Sequence, residues 1–217
     1  MGASELSWQG VDSKVVTTSC DCALITNRNT ISSNLYLLHD LLSQAPGARH
    51  RFGSHLRLFA GLQRYLRSQL KAEQPIESLA LAPLLASLTR QLQRIAGNSP
   101  LILHTETAGA LPLKQCLSFL MVLNELVANA EKHGAGEVTV SLGLLTCPPG
   151  TISSLLCLEV SDSGKGFPKD FASDTHAKLG LEIVDVLCRW DLEGELILQN
   201  IPDGGARVQV YFPLNCS

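Results

Sequence analysis

The sequence predicts an α+β fold, in which helices come first and a domain containing a sheet follows. Up to His133, most apolar residues recur at spacings of three and four, as they do in amphipathic helices. After Gly136 they alternate with polar residues, as they do in strands. The last two strand-like segments flank a turn over residues 201–205, which predicts a closing hairpin.

Composition argues against several classes of protein. The 217 residues have a net charge of -3, with 45% hydrophobic and 17% charged residues, which is typical of a globular protein and unlike a general nucleic-acid binder. The apolar runs are too short to span a bilayer, and residues 1–10 lack the features of a secretory signal. The seven scattered cysteines predict reduced thiols. We therefore expect a cytoplasmic protein with no membrane or nucleic-acid partner.

The first part of the chain is predicted to contain a helical hairpin. Residues 1–29 show no clear period and form a poorly defined lead-in. Residues 30–75 contain a short amphipathic helix over 31–44 and a longer helix from about Ala48 to Lys71. One face of the longer helix predicts a homodimer through a four-helix bundle, or, alternatively, packing on the rest of the chain. Its seam residues are Phe52, Leu56, Phe59 and Leu66.

The opposite face of the longer helix is small and basic. Its residues are His50, Gly53, Ser54, Arg57, Gly61 and Arg64. A helical glycine costs about 1 kcal/mol relative to alanine, so we expect another group to come close to the backbone here. No acidic residue occurs between Asp40 and Glu73, which indicates an acidic partner or a nearby phosphate.

Residues 78–217 are predicted to form the second domain. The elements expected in it are a helix from about Pro83 to Ile95, a strand over 101–105, a helix from about Leu113 to His133, strands around 138–142 and 155–160, a helix over 179–190 and hairpin strands over 195–199 and 207–212. The 113–133 helix ends in a polar cluster. Glu125 and Asn129 share a face one turn apart, and Lys132 and His133 precede a terminating Gly134.

A glycine-containing loop follows the strand predicted around residues 155–160. Asp162-Ser163-Gly164-Lys165-Gly166-Phe167 places a carboxylate at the end of the strand, before two alternating glycines. Such a loop lets backbone amides approach a ligand, and the carboxylate can accept a hydrogen bond from an exocyclic amine. Turns of this kind are common, so the loop alone is a weak signal.

Four motifs together resemble one family. N-E-L-V-x-N-A-x-K-H-G, D-S-G-K-G-F, L-G-L-E-I-V and G-G-A-R-V-Q-V occur in this order, which is similar to the ATP-binding domain of sensor histidine kinases. That domain is one of the Bergerat (GHKL) ATPases, and the resemblance covers about residues 79–213. It implies a two-layer α/β sandwich that binds ATP and Mg²⁺.

The resemblance also implies roles for individual residues. Asn129 would coordinate Mg²⁺, and Glu125 would lie near the metal or the attacking group. Lys132 and His133 would lie against the phosphates, while Asp162 would accept from the adenine amino group. Backbone room for the nucleotide would come from Gly164, Gly166 and Gly180. Lys178 stands where the family has the first glycine of a G-x-G motif, so the nucleotide lid differs here.

The longer helix resembles the phosphoacceptor segment of the same kinases. His50-Arg51-Phe52-Gly53-Ser54-His55-Leu56 is similar to H-[RD]-x-x-N-x-L, which makes His50 the expected phosphoacceptor. Ser54 replaces the asparagine of the pattern, which leaves phosphatase activity open. The alternative acceptor is His39, because residues 39–44 resemble the H-D-x-L-x-Q box of another subgroup.

The resemblance implies a protein histidine kinase of two-component signalling. It would phosphorylate itself and pass the phosphoryl group to an aspartate of a response-regulator receiver domain. The input would come from a separate sensor protein or from residues 1–29. Two alternatives remain: a phosphotransferase with a degenerate ATPase domain, and an anti-sigma-type serine kinase that acts as a binding switch.

Overall fold

The computed structural model describes residues 48–69, 76–106, 109–145, 154–168, 171 and 179–214. For residues 48–52 and 179 it describes the backbone only. The predicted lead-in over 1–29 and the predicted helix over 31–44, which includes His39, lie outside the described residues.

The described part of the chain contains four helices and seven strands. The helices are α1 (Ala48–Gln69), α2 (Leu81–Ile95), α3 (Leu113–His133) and α4 (Leu179–Trp190). The strands are β1 (Ser78–Ala80), β2 (Leu101–Thr105), β3 (Ala110–Pro112), β4 (Val138–Leu145), β5 (Ser154–Asp162), β6 (Glu195–Asn200) and β7 (Ala206–Leu214). Among these residues, no helix is both long and apolar enough to cross a membrane.

Five strands form a mixed sheet in the order β2-β4-β5-β7-β6. β2 is parallel to β4, and the other pairs are antiparallel. Alternate side chains of β4, β5 and β7 are buried, and Val160 pairs with both Val140 and Val208 across the sheet. This alternation of buried and half-buried residues indicates that helices cover one face of the sheet.

Helix α3 lies at the centre of the molecule. It packs on the sheet through β4 and β5, and it also contacts α1, α2 and α4. From Cys116 to Val127, each of its side chains is buried. A helix that is buried on all sides must have neighbours on all sides. The predicted α+β fold with a two-layer α/β domain is confirmed.

Helix α1 packs along α2 and α3. Leu58, Phe59, Leu62 and Leu66 are buried there, whereas Leu56 is 40% exposed. At Gly61, an added Cβ would overlap a side-chain carbon of Leu88 in α2. The close approach expected from the glycines of α1 therefore occurs at Gly61. Two of the predicted seam residues, Phe59 and Leu66, are buried within the chain itself.

The prediction missed two short strands. β1 and β3 pair with each other antiparallel, with Leu79 opposite Leu111, and neither strand was predicted. Three residues are too few to show an alternating pattern, so sequence reasoning could not find these strands. α2 also begins at Leu81, two residues before the position expected from Pro83.

Candidate functional site

Asp162 is the last residue of β5, and its side chain is only 9% exposed. Its Oδ1 accepts a hydrogen bond from the backbone N–H of Gly164 at 2.8 Å. This contact turns the chain immediately after the strand and fixes the direction of the carboxylate. The backbone N–H of Ser163 donates to the carbonyl of Ala135 at 3.1 Å, which joins the loop to the segment after α3.

Three glycines surround Asp162. A Cβ on Gly134 would lie 2.6 Å from the Asp162 Cγ, and a Cβ on Gly164 would lie 2.6 Å from the Gly134 Cα. A Cβ on Gly205 would overlap the backbone oxygen of Asp162. The end of α3, the loop after β5 and the turn before β7 therefore meet with no room for side chains. Gly134 has φ -80, so glycine is needed there for close approach and not for a left-handed backbone.

The glycine loop is also held from β6. Gly166 has φ 73, a conformation that favours glycine, and a Cβ there would overlap Asn200 Oδ1. Asn200 Oδ1 accepts from the Phe167 N–H at 2.6 Å, and its Nδ2 donates to the Phe167 carbonyl at 3.0 Å. Sequence reasoning missed Asn200 because no local motif marks a residue that acts on a loop 33 positions away.

Asn129 lies on α3, five residues before Gly134, and is partly exposed. Its Nδ2 is buried and has no hydrogen-bond partner in the described part of the chain. Because buried polar atoms are nearly always satisfied, this atom indicates a ligand. The carboxamide could donate to a phosphate oxygen and offer its oxygen to a Mg²⁺ ion. Lys132 and His133 follow it and are exposed at the end of the helix.

Glu125 has different surroundings, although it is one turn from Asn129. Its side chain is 1% exposed and faces α1, where its Oε1 lies 3.6 Å from Nε2 of His55. His55 is also 1% exposed. The neighbouring Asn124 places its Nδ2 3.1 and 3.2 Å from the two ring nitrogens. Sequence reasoning gave His55 no role, because its burial depends on how α1 packs.

The structure describes the other predicted site residues to different extents. Gly180 is buried in the first turn of α4. His50 lies in the first turn of α1, where only the backbone is described. Lys178 and His39 lie outside the described residues. Among the residues that the structure describes, no group of three His, Cys, Asp or Glu side chains could hold a metal ion.

Comparison with known proteins agrees with the fold and with the motifs. Residues 117–215 match the family described as Histidine kinase-, DNA gyrase B-, and HSP90-like ATPase. The matched residues, 99 of the 217, are similar to an ATPase domain of this family. The domain runs from α3 to the end of β7, so it contains both the Asp162 loop and Asn129. The resemblance found in the sequence is confirmed.

Two relatives share sequence with this ATPase domain. The chain is 32% identical over 106 residues to the sensor histidine kinase PdtaS of Mycolicibacterium smegmatis, and 30% identical over 106 residues to PdtaS of Mycobacterium tuberculosis. Each match covers 49% of this chain and 21% of the relative. The matched stretch thus spans about a fifth of the length of these relatives.

Solved structures show the same fold. The histidine kinase domain of the Erythrobacter litoralis EL346 blue-light activated histidine kinase has a TM-score of 0.60 and 20% identity, over 90% of this chain and 92% of that one. The ATP binding domain of PrrB from Mycobacterium tuberculosis has a TM-score of 0.50 and 23% identity, over 64% of this chain and 97% of that one. At this level of identity the likeness concerns the fold alone.

Proposed function

We propose that this protein is an ATP-dependent histidine kinase, which phosphorylates itself on a histidine and passes the phosphoryl group to an aspartate of a response-regulator receiver domain. One observation supports this most. The Asp162 carboxylate is enclosed by three glycines beside the end of α3, within an ATPase domain that shares sequence with sensor histidine kinases.

The proposed nucleotide site uses groups from two segments, the end of β5 and the C-terminal half of α3. Asp162 would accept from the adenine amino group, because its carboxylate is fixed by the Gly164 N–H and is still 9% exposed. Asn129 would hold a phosphate oxygen or Mg²⁺ with its carboxamide. Lys132 and His133 would contact the phosphates from the exposed end of α3. Mg²⁺, when bound, would neutralise phosphate charge, which phosphoryl transfer requires more than covalent help.

The proposed acceptor is His50, with His39 as the alternative. An imidazole nitrogen would form a bond to the γ-phosphorus, and the bond from that phosphorus to the bridging oxygen would break and leave ADP. α1 suits a receiver domain by charge. Its first turn has no acidic residue, and Arg57, Arg64 and Arg67 are all exposed. Such a surface complements the acidic pocket of a receiver. A homodimer and a separate input protein complete the proposal.

A phosphorylation assay tests this function. We expect MgATP labelled at the γ-position to give phosphate that is labile in acid and stable in base, as expected for a phosphohistidine. The label should disappear in His50→Ala and persist in His104→Ala, since His104 is an exposed histidine of β2 and serves as the control. Loss in His39→Ala instead would assign the alternative acceptor.

Other outcomes would replace the proposal. Acid-stable phosphate on a co-purified protein would point to the anti-sigma-type kinase. Phosphate accepted from a phosphorylated receiver, with none taken from MgATP, would point to the phosphotransferase.

A further inference from the structure

A buried polar cluster joins α1 to α3. Its members are His55 of α1 and Asn124 and Glu125 of α3, and each of the three is at most 1% exposed. The His55 ring lies 3.6 Å from a Glu125 oxygen and 3.1 Å from the Asn124 amide nitrogen. A buried charge is costly unless it is paired, so this cluster is stable in one relative position of the two helices.

A second contact shows how α1 is oriented. Tyr65 of α1 and Glu77 line one cavity, and the Glu77 carbonyl accepts a hydrogen bond at 2.9 Å from the backbone N–H of Leu113, the first residue of α3. Tyr65 therefore lies near the first turn of α3. From His55 to Tyr65, α1 rises about 15 Å, and from Glu125 back to Cys116, α3 spans about 14 Å. The two helices are therefore antiparallel, and their two points of contact are separated by nearly equal distances along each helix.

This register fixes the position of the first turn of α1. His50 is five residues before His55, which is about 7.5 Å along the axis of α1 and about 140° around it, on the side that carries Ser54 and not on the side that meets Glu125. On α3, Asn129 lies about 6 Å beyond Glu125 towards the C-terminal end of the helix, which is nearly the same distance. The backbone of His50 is thus level with Asn129, at the end of α3 where the nucleotide phosphates are proposed to bind.

Apolar packing keeps α1 in this register. Leu58 and Leu62 follow His55 on the same face and are at most 1% exposed. Gly61 lies so close to Leu88 of α2 that a Cβ on it would overlap the end of the Leu88 side chain. Leucine side chains tolerate a shift of one turn against an apolar surface, whereas a His–Glu pair does not. The apolar residues thus hold α1 on the domain, and the polar cluster selects its register.

We propose that His55 is a positioning residue: through Glu125 and Asn124 it sets α1 along α3, so that His50 receives the phosphoryl group from the nucleotide bound by its own chain. This inference rests on the proposed function and adds that the transfer occurs in cis. It also gives Glu125 a role that fits its burial, which is to anchor α1.

Complementation between two inactive variants tests transfer in cis. His50→Ala keeps the nucleotide site, and Asn129→Asp keeps the acceptor. We expect the two variants, co-expressed with different tags and purified together, to incorporate no phosphate from MgATP. The wild type should label at a first-order rate that is unchanged over a dilution of about 100-fold, because intramolecular transfer does not depend on concentration. Phosphate on the Asn129→Asp chain of the mixture would overturn the inference.

Variants of α1 test the positioning role. His55→Ala should slow phosphate incorporation by at least about tenfold and leave the MgATP Kd within about twofold, because misplacing a reacting group affects transfer more than binding. His55→Asn should restore part of the rate, since it keeps a hydrogen-bonding group. Gly61→Leu should slow transfer in the same way without changing the cluster, whereas Ala60→Ser, at an exposed position of α1, should not.

The outcomes separate this inference from the proposed function. A wild type that incorporates no phosphate would contradict the kinase itself. A wild type that labels, together with a His55→Ala variant that labels equally fast or that loses MgATP binding in parallel, would contradict the positioning role alone.

Discussion

Two carboxylates of this molecule have opposite surroundings. Asp162 ends a strand beside three glycines, and its carboxylate is held by a backbone N–H. Glu125 lies in the middle of α3 and is covered by a histidine of α1. Backbone segments surround the first carboxylate, and side chains surround the second. In the roles proposed above, Asp162 binds a ligand, whereas Glu125 anchors α1.

The largest effect is expected where the backbone has no spare room. Gly205→Ala should lower the free energy of unfolding by about 4 kcal/mol, because the new Cβ would overlap the Asp162 carbonyl at a φ of 105. Chemical denaturation measures this. Gly143→Ala is the matched control, since nothing lies within 4 Å of its Cβ. Equal stability of the two variants would show that the turn before β7 is not packed against Asp162.

The second largest effect on stability is expected at Glu125, the carboxylate that α1 covers. Glu125→Ala should lower the free energy of unfolding by about 3 kcal/mol, because it leaves His55 and Asn124 buried beside an empty space. Glu131→Ala, which removes an exposed carboxylate from the same helix, should cost no more than about 0.5 kcal/mol. If the two variants were equally stable, the polar cluster would not hold α1 in place.

Loosening the glycine loop that follows Asp162 should change the affinity for MgATP more than the free energy of unfolding. Asn200→Ala removes two hydrogen bonds to the backbone of Phe167 and should weaken MgATP binding by up to about 30-fold, since each such bond contributes about 1 kcal/mol. Gln199→Ala, at the preceding exposed position of β6, should leave the affinity unchanged. A calorimetric titration compares them. Unchanged binding in Asn200→Ala would mean that the position of the glycine loop does not affect the nucleotide.

The smallest effect concerns two buried thiols. Burial raises the pKa of Cys116, on α3, to about 12, and burial together with Asp185 raises the pKa of Cys188 to about 11. Both thiols should thus stay protonated at pH 8 and react with iodoacetamide at least about 100-fold more slowly than free cysteine. Mass spectrometry of the folded protein measures this. Fast labelling of Cys116 would show that the covered part of α3 opens readily.

The sequence predicted the fold well because its elements have strong periods. The helices at 113–133 and 179–190 and the strand over 101–105 were found within a residue or two. The motif residues Asn129 and Asp162 were also found from sequence, since each belongs to a local pattern with a recognisable spacing.

What the sequence missed depends on contacts between distant segments. Asn200 acts on Phe167 across the sheet, and His55 meets Glu125 only after α1 has packed on α3. In the sequence Glu125 and Asn129 share one polar face and appear equivalent. His55, which covers Glu125, is 70 positions before it in the chain, so no local pattern could distinguish the two.

The proposed nucleotide site in residues 117–215 binds MgATP through Asp162 and Asn129. A calorimetric titration of the whole chain with MgATP tests it most directly. We expect binding by the wild type and a loss of about 10- to 100-fold in affinity in both Asp162→Asn and Asn129→Asp, which is the range for a hydrogen bond to a charged group. Asp203→Asn, in the exposed turn before β7, should bind like the wild type. Wild-type affinity in Asp162→Asn and Asn129→Asp would contradict the account.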